Sequence, residues 1–168
     1  MTDTPVYVTT RLTTAAIAAV RIGVALLWLQ NAAWKPPPNF GGLRYFTEFA
    51  VTRPVFGPYA WLVENVVLPN FTFFGWLTLL VEGGLGAFLL VGLATRFWAV
   101  VGVAQSVVIT LSALNAPHEW QWSYYLMILV HIGLFATAAG RSVGVDGALR
   151  PVWQRSAAPI PRLLLRLS

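Results

Sequence analysis

The stretch Phe74 to Thr95, FGWLTLLVEGGLGAFLLVGLAT, constrains this chain more than any other. It is long enough to cross a bilayer, which takes about 20 apolar residues. Its single charge, Glu82, falls near the middle. An ionised carboxylate in hydrocarbon costs several kcal/mol unless it is paired or hydrated. The rest of the chain must therefore supply a cation, a water-filled cavity, or surroundings that keep the acid neutral.

Composition agrees with a membrane chain. Of the 168 residues, 57% are hydrophobic and 10% are charged, with a mean hydropathy of +0.67. Soluble domains carry about 25% charged residues. The absence of cysteine excludes a disulfide framework, a thiolate metal site and a cysteine nucleophile. A net charge of +5 raises nucleic acid as a partner. We reject it, because seven of the 11 basic residues sit near the chain's ends or at one helix turn, as membrane topology requires. His118 and His131 would lie about 20 Å apart along one helix, too far to hold one haem between them. No metal triad, phosphate loop, GxSxG or nucleotide fingerprint occurs.

The order of segments predicts an all-α, integral membrane four-helix bundle. Its spans fall at about 13–33, 74–95, 97–114 and 122–139. A four-helix transmembrane domain then covers 1–150, after a short polar start, and 151–168 is a basic tail. A signal peptide competes for the first span, but its apolar run is too long and Arg21 interrupts it. Pro36, Pro37 and Pro38 stop the first helix. The connection from Trp34 to Phe73 is too aromatic for a disordered linker. It fits an extracytoplasmic loop of short interfacial helices, over Leu43–Val51 and Tyr59–Leu68. Pro161-Arg-Leu-Leu-Leu-Arg-Leu reads as a basic amphipathic anchor on an anionic leaflet, with a disordered tail as the other reading.

Four spans put both termini and Arg96 on one side. That side carries Arg11, Arg96, Arg141, Arg150, Arg155, Arg162 and Arg166, against Lys35, Arg44 and Arg53 on the other. Seven against three predicts cytoplasmic termini in a multi-pass plasma-membrane protein.

Counting rise along each helix puts Arg21, Glu82, Gln105 and His131 in the middle third of the bilayer. Two readings follow. In one, Arg21–Glu82 is a buried ion pair that fixes helix register, and Gln105 and His131 are satisfied polar glue. In the other, the cluster borders a cavity lined by Trp28, Trp98 and Tyr124, with Glu82 or His131 exchanging protons. A quinone suits such a cavity, being flat and apolar with two carbonyls that need protons on reduction. A second candidate site groups Trp34, Lys35, Glu64, Asn65, Asn70, His118, Glu119 and Trp120 at the outer face. It is either an aromatic belt with a snorkelling Lys35, or a headgroup or anion site.

Four stretches carry a family resemblance. They are Arg21-Ile-Gly through Trp34-Lys35, Glu82-Gly83-Gly84 with Gly92-Leu93-Ala94-Thr95-Arg96, the third span in its general character, and Gly140-Arg141-Ser142 to Asp146. Over residues 11–150 the chain resembles the DoxX family, which includes the DoxD-type small subunit of thiosulfate:quinone oxidoreductase. The positions matching family motifs are Arg21, Lys35, Glu82 and Arg96. The resemblance implies a quinone-interacting membrane subunit of an oxidoreductase, with quinone as substrate and a redox partner subunit. The alternative it leaves open is a non-catalytic anchor or adaptor in a respiratory or redox-stress complex. A homo-oligomer is a further candidate arrangement. A proton-coupled transporter is the weakest reading, for want of inverted repeats or broken helices.

Overall fold

A computed structural model describes residues 10–168, so the first nine residues of the polar start lie outside the described residues. Helix α1, Arg11–Ala33, starts at Thr10, whose hydroxyl accepts from the Thr13 N–H at 3.2 Å. Two short helices follow, α2 at Gly41–Thr52 and α3 at Gly57–Leu62, and α3 runs into one π-helical turn at Val63–Val67. They lie close to the positions the aromatic composition predicted. The long helices α4, Phe71–Val91, and α5, Thr95–Ala113, come next, then α6, Gln121–Ala136. A 3-10 turn at Ala139–Arg141 leads into α7, Val145–Arg155, and α8, Pro159–Leu167. The described residues contain no strand.

Three helices, α1, α4 and α5, are long and apolar enough to cross a membrane. The 16 residues of α6 are also apolar, but reach only about 24 Å. Leucines and valines cover both sides of these helices: Leu27, Leu80, Val100 and Leu129 are all more than half exposed. A helix that is apolar all round sits in the core of a large protein or in a membrane, and 168 residues do not make a large protein.

Helix α1 packs along α4, and α5 along α6. The α1–α4 pair is antiparallel, since Arg21 in the first half of α1 bonds the Leu89 carbonyl near the end of α4. Inside lies one apolar cluster of Val24, Ala25, Trp28, Leu85, Leu89, Ala99, Leu134 and Ala139. Lipid tails are as apolar as these side chains, so close packing rather than burial holds such helices together. Gly102 serves that packing, because a Cβ there would run into the His131 ring. Phe40 closes the lysine-bearing end: it is fully buried, seated over Gly75 and edge-on to Trp76.

The ends of the elements moved for local reasons. The predicted span 74–95 begins earlier, at Phe71, and stops at Val91, because Gly92 takes a left-handed φ of +71° and reverses the chain. Thr95 then opens α5 rather than closing α4. Residues 150 and 151 sit together inside α7, so the basic segment continues a helix at that point.

Candidate functional site

Glu82 has no exposed surface. Its Oε2 is in an ion pair with Lys35 Nζ, and its Oε1 accepts from Gln105 Nε2 at 3.3 Å. Lys35, 3% exposed, also donates to the Asn31 carbonyl at 3.0 Å. The lysine therefore folds back along the end of α1 to reach an acid on α4. An ammonium has three N–H donors. Two are spent on Asn31 and Glu82; the third meets no oxygen or nitrogen acceptor among the described residues, and the ammonium lies 4.7 Å from the centroid of the Trp34 ring. Gln105 Oε1 likewise meets no donor among them.

Arg21 is not the partner of Glu82. It is 1% exposed and donates to the Leu89 and Leu90 carbonyls at 2.9 and 3.2 Å, and to the Val143 carbonyl at 2.9 Å. Rise alone puts the two residues at similar depth, but their side chains point apart. A helical side chain tilts toward its own helix's N-terminus. On antiparallel α1 and α4 that tilt sends Arg21 toward the arginine-bearing end and Glu82 toward the lysine-bearing end. Lys35, which the outer-face reading treated as a belt residue, is carried to Glu82 by the same geometry.

His131 stands apart from Glu82 as well. Its Nε2 accepts from the Trp28 indole N–H at 2.9 Å, and its Nδ1 lies 2.6 Å from the Met127 carbonyl. Indole only donates and a carbonyl only accepts. The ring is thus assigned as the neutral Nδ1–H tautomer with both nitrogens used. Tyr124 donates to Glu119 at 2.7 Å. Trp98 stacks on Phe88 with ring centroids 4.8 Å apart. Arg96 donates to the Phe135 carbonyl at 3.3 Å and lies over that ring. The expected assembly of Arg21, His131, Trp28, Trp98 and Tyr124 around Glu82 does not form. Gln105 does reach it.

What the pair does border is a cavity of about 370 Å³. Its walls come from the end of α1, from α2 and α3, and from facing parts of α4 and α5. The lining is mostly apolar, with Phe46, Phe71 and Phe74 among the rings, and Lys35, Glu82 and Gln105 share one wall. Tyr59 on α3 supplies a further polar group, its hydroxyl 2.8 Å from Ser112 Oγ on α5. Burial pushes the Tyr59 phenol above its ordinary range, against the opposing pull of Ser112. Ligand pockets of this kind run from roughly 300 to 1,000 Å³, with a few placed polar groups on an apolar wall. This one offers a cationic donor and an amide acceptor side by side, the complement of a carbonyl or hydroxyl on a flat apolar molecule.

Sequence reasoning missed Tyr59, Ser112 and Thr47 as lining residues. Helical period puts Ser112 on the Gln105 face, but no periodicity signals Thr47 and Tyr59, which come to the cavity through the packing of α2 on α5 and the Tyr59–Ser112 contact. Of the outer-face group, Trp34 and Lys35 line the cavity, while Glu64, Asn65, Asn70, His118 and Trp120 are exposed. A second groove, of about 440 Å³, runs beside Trp28 and His131 between α1 and α6.

The family described as TQO small subunit DoxD matches residues 46–163. The match takes in Glu82, the turn after α4 and the Gly140–Asp146 stretch, and begins beyond Arg21 and Lys35. No curated protein and no solved structure matches the chain.

Proposed function

The chain belongs to the DoxD family, a family of membrane subunits of the thiosulfate:quinone oxidoreductase type, and from that premise we propose that it provides the quinone site of such an enzyme. Four helices, α1, α4, α5 and α6, cross the plasma membrane, with the arginine-rich end in the cytoplasm. The Lys35–Glu82–Gln105 wall receives the quinone headgroup. Lys35 donates its free N–H to a quinone oxygen, and Gln105 accepts from a hydroxyl once the quinone is reduced. Glu82 holds the ammonium in place, and the proton reaches the ligand oxygen from the Lys35 ammonium that bonds it. Reducing the quinone takes two electrons and two protons. Two thiosulfates joined by a new S–S bond release those two electrons. That oxidation belongs to a partner, as it would for a small subunit of such an enzyme.

The observation that carries this reading is a Lys35 N–H and a Gln105 oxygen with no hydrogen-bond partner among the described residues, side by side at an apolar cavity wall. A fluorescent quinol analogue titrated into the purified protein tests it. Gln105→Ala and Glu82→Gln are both expected to weaken binding by roughly 10-fold or more, the loss of one hydrogen bond to a charged or buried group. Unchanged affinity in both variants removes this wall from quinone binding.

A further inference from the structure

Polar groups reach the Lys35–Glu82 pair from one direction only. On the lysine-bearing side the cavity wall carries Thr47, Tyr59, Thr78 and Ser112, and Lys35 itself enters past the end of α1. Toward the arginine-bearing side the polar side chains among the described residues thin to Trp28, His131 and Ser106, none of which bonds the pair. Over the seven residues from Glu82 to Leu89, about 10 Å of helix, the interior is filled by Leu85, Leu89, Ala25, Trp28 and Ala99, none more than 4% exposed. These belong to one apolar cluster. The imidazole there is committed on both nitrogens: Trp28 donates to His131, and His131 bonds the Met127 carbonyl. The buried Ser106 hydroxyl has no partner among the described residues, so it bonds neither Glu82 nor His131. Arg21 faces away, onto the carbonyls of residues 89, 90 and 143. The charged group facing Glu82 is Lys35, and the titratable group on α3 that lines the same cavity is Tyr59.

We infer that the Lys35–Glu82 site exchanges protons only with the membrane face that carries Lys35, Arg44 and Arg53. The redox consequence rests on the quinone reading. When a quinone is reduced there, its two C=O bonds become C–O–H, the two electrons come from thiosulfate, and both protons are drawn from that face. By the distribution of basic residues this is the extracytoplasmic face, so the reduction takes no protons from the cytoplasm.

The chain has no cysteine, so a single substitution places a single thiol. Thr78→Cys and Thr47→Cys line the cavity, Ala25→Cys lies in the apolar layer, and Ala148→Cys is exposed on α7 at the arginine-bearing end. Each full-length variant is labelled with a charged, membrane-impermeant thiosulfonate in sealed vesicles of both orientations. The cavity variants are expected to label only in the orientation in which Ala148→Cys does not, with Ala25→Cys unlabelled in both. Labelling of both cavity variants from the Ala148 side, from both sides, or from neither overturns the inference. Two cavity positions guard against one variant failing to fold. Protection of Thr78→Cys by a quinol analogue is a separate readout. Its failure counts against quinone binding and leaves the sidedness standing.

Discussion

Glu82 and Lys35 are stable only as a couple. Removing one partner of a buried pair strands the other charge and costs about 3–5 kcal/mol, whereas replacing both with apolar residues is often neutral. Lys35→Met and Glu82→Leu are therefore each expected to lower the melting temperature sharply in detergent. The double variant should regain most of that loss. If the double variant is as unstable as the sum of the singles, the two residues are not coupled. The sequence made it plain that Glu82 needed a cation, a wet cavity or surroundings that keep it neutral, because a single acid stood in an apolar helix. It did not make the cation's identity plain. Counting rise places Cα atoms and not head groups, and Lys35 spans the difference by bending back over Asn31. Likewise, His131 is buried as a mid-helix polar residue should be, but its company is Trp28, a pairing that no spacing within one helix can reveal.

At the scale of elements, the turn between α4 and α5 is held by two charges of opposite sign. The last carbonyls of a helix and its first N–H groups have no partners within the helix. Arg21 donates to the Leu89 and Leu90 carbonyls near the end of α4. Asp146 accepts from the N–H groups of Ala94 and Thr95, at 2.8 and 2.9 Å, where α5 begins. Each charge sits at the helix end whose dipole favours it. Gly92 between them needs a left-handed backbone, and a Cβ there would meet the Arg21 guanidinium. Asp146→Ala should cost about 0.5–2 kcal/mol as a lost helix cap. Asp146→Asn, which keeps one acceptor, should fall between it and the parent in a thermal melt. Equal stability of Asp146→Ala and the parent would show that the contact holds nothing. Helix positions were legible from hydropathy, and α2 and α3 from aromatic density bounded by glycine and proline. Helix α7 was not legible, because Pro151 and two glycines in a polar segment read as loop. The helix starts where Asp146 docks on α5, a tertiary event.

Across the whole molecule, charge is separated along the long axis of the helices. The 3-10 turn, α7 and α8 carry Arg141, Arg150, Arg155, Arg162 and Arg166, and Arg141 feels the charges of Arg150 and Arg96. The acid among them, Asp146, is committed to α5. The Arg141 guanidinium is held below its ordinary range, first by desolvation and then by the like charges of Arg150 and Arg96. On α8, Ile160 and Leu163 are 69% and 54% exposed, beside the exposed Arg162 and Arg166. A helix built this way is suited to the headgroup layer, apolar side toward the acyl chains and arginines toward phosphate. Anionic lipid should therefore stabilise the protein, each arginine near such a surface contributing about 1 kcal/mol. In nanodiscs, phosphatidylglycerol should raise the melting temperature above that in phosphatidylcholine. Arg162→Gln combined with Arg166→Gln should remove much of the difference. Salt should remove it too, since exposed charges are screened over about 8 Å at physiological ionic strength. A melting temperature independent of lipid charge would mean that lipid does not compensate the arginines, and that α8 is held by its contacts with α7, α5 and the Arg141 and Arg150 side chains.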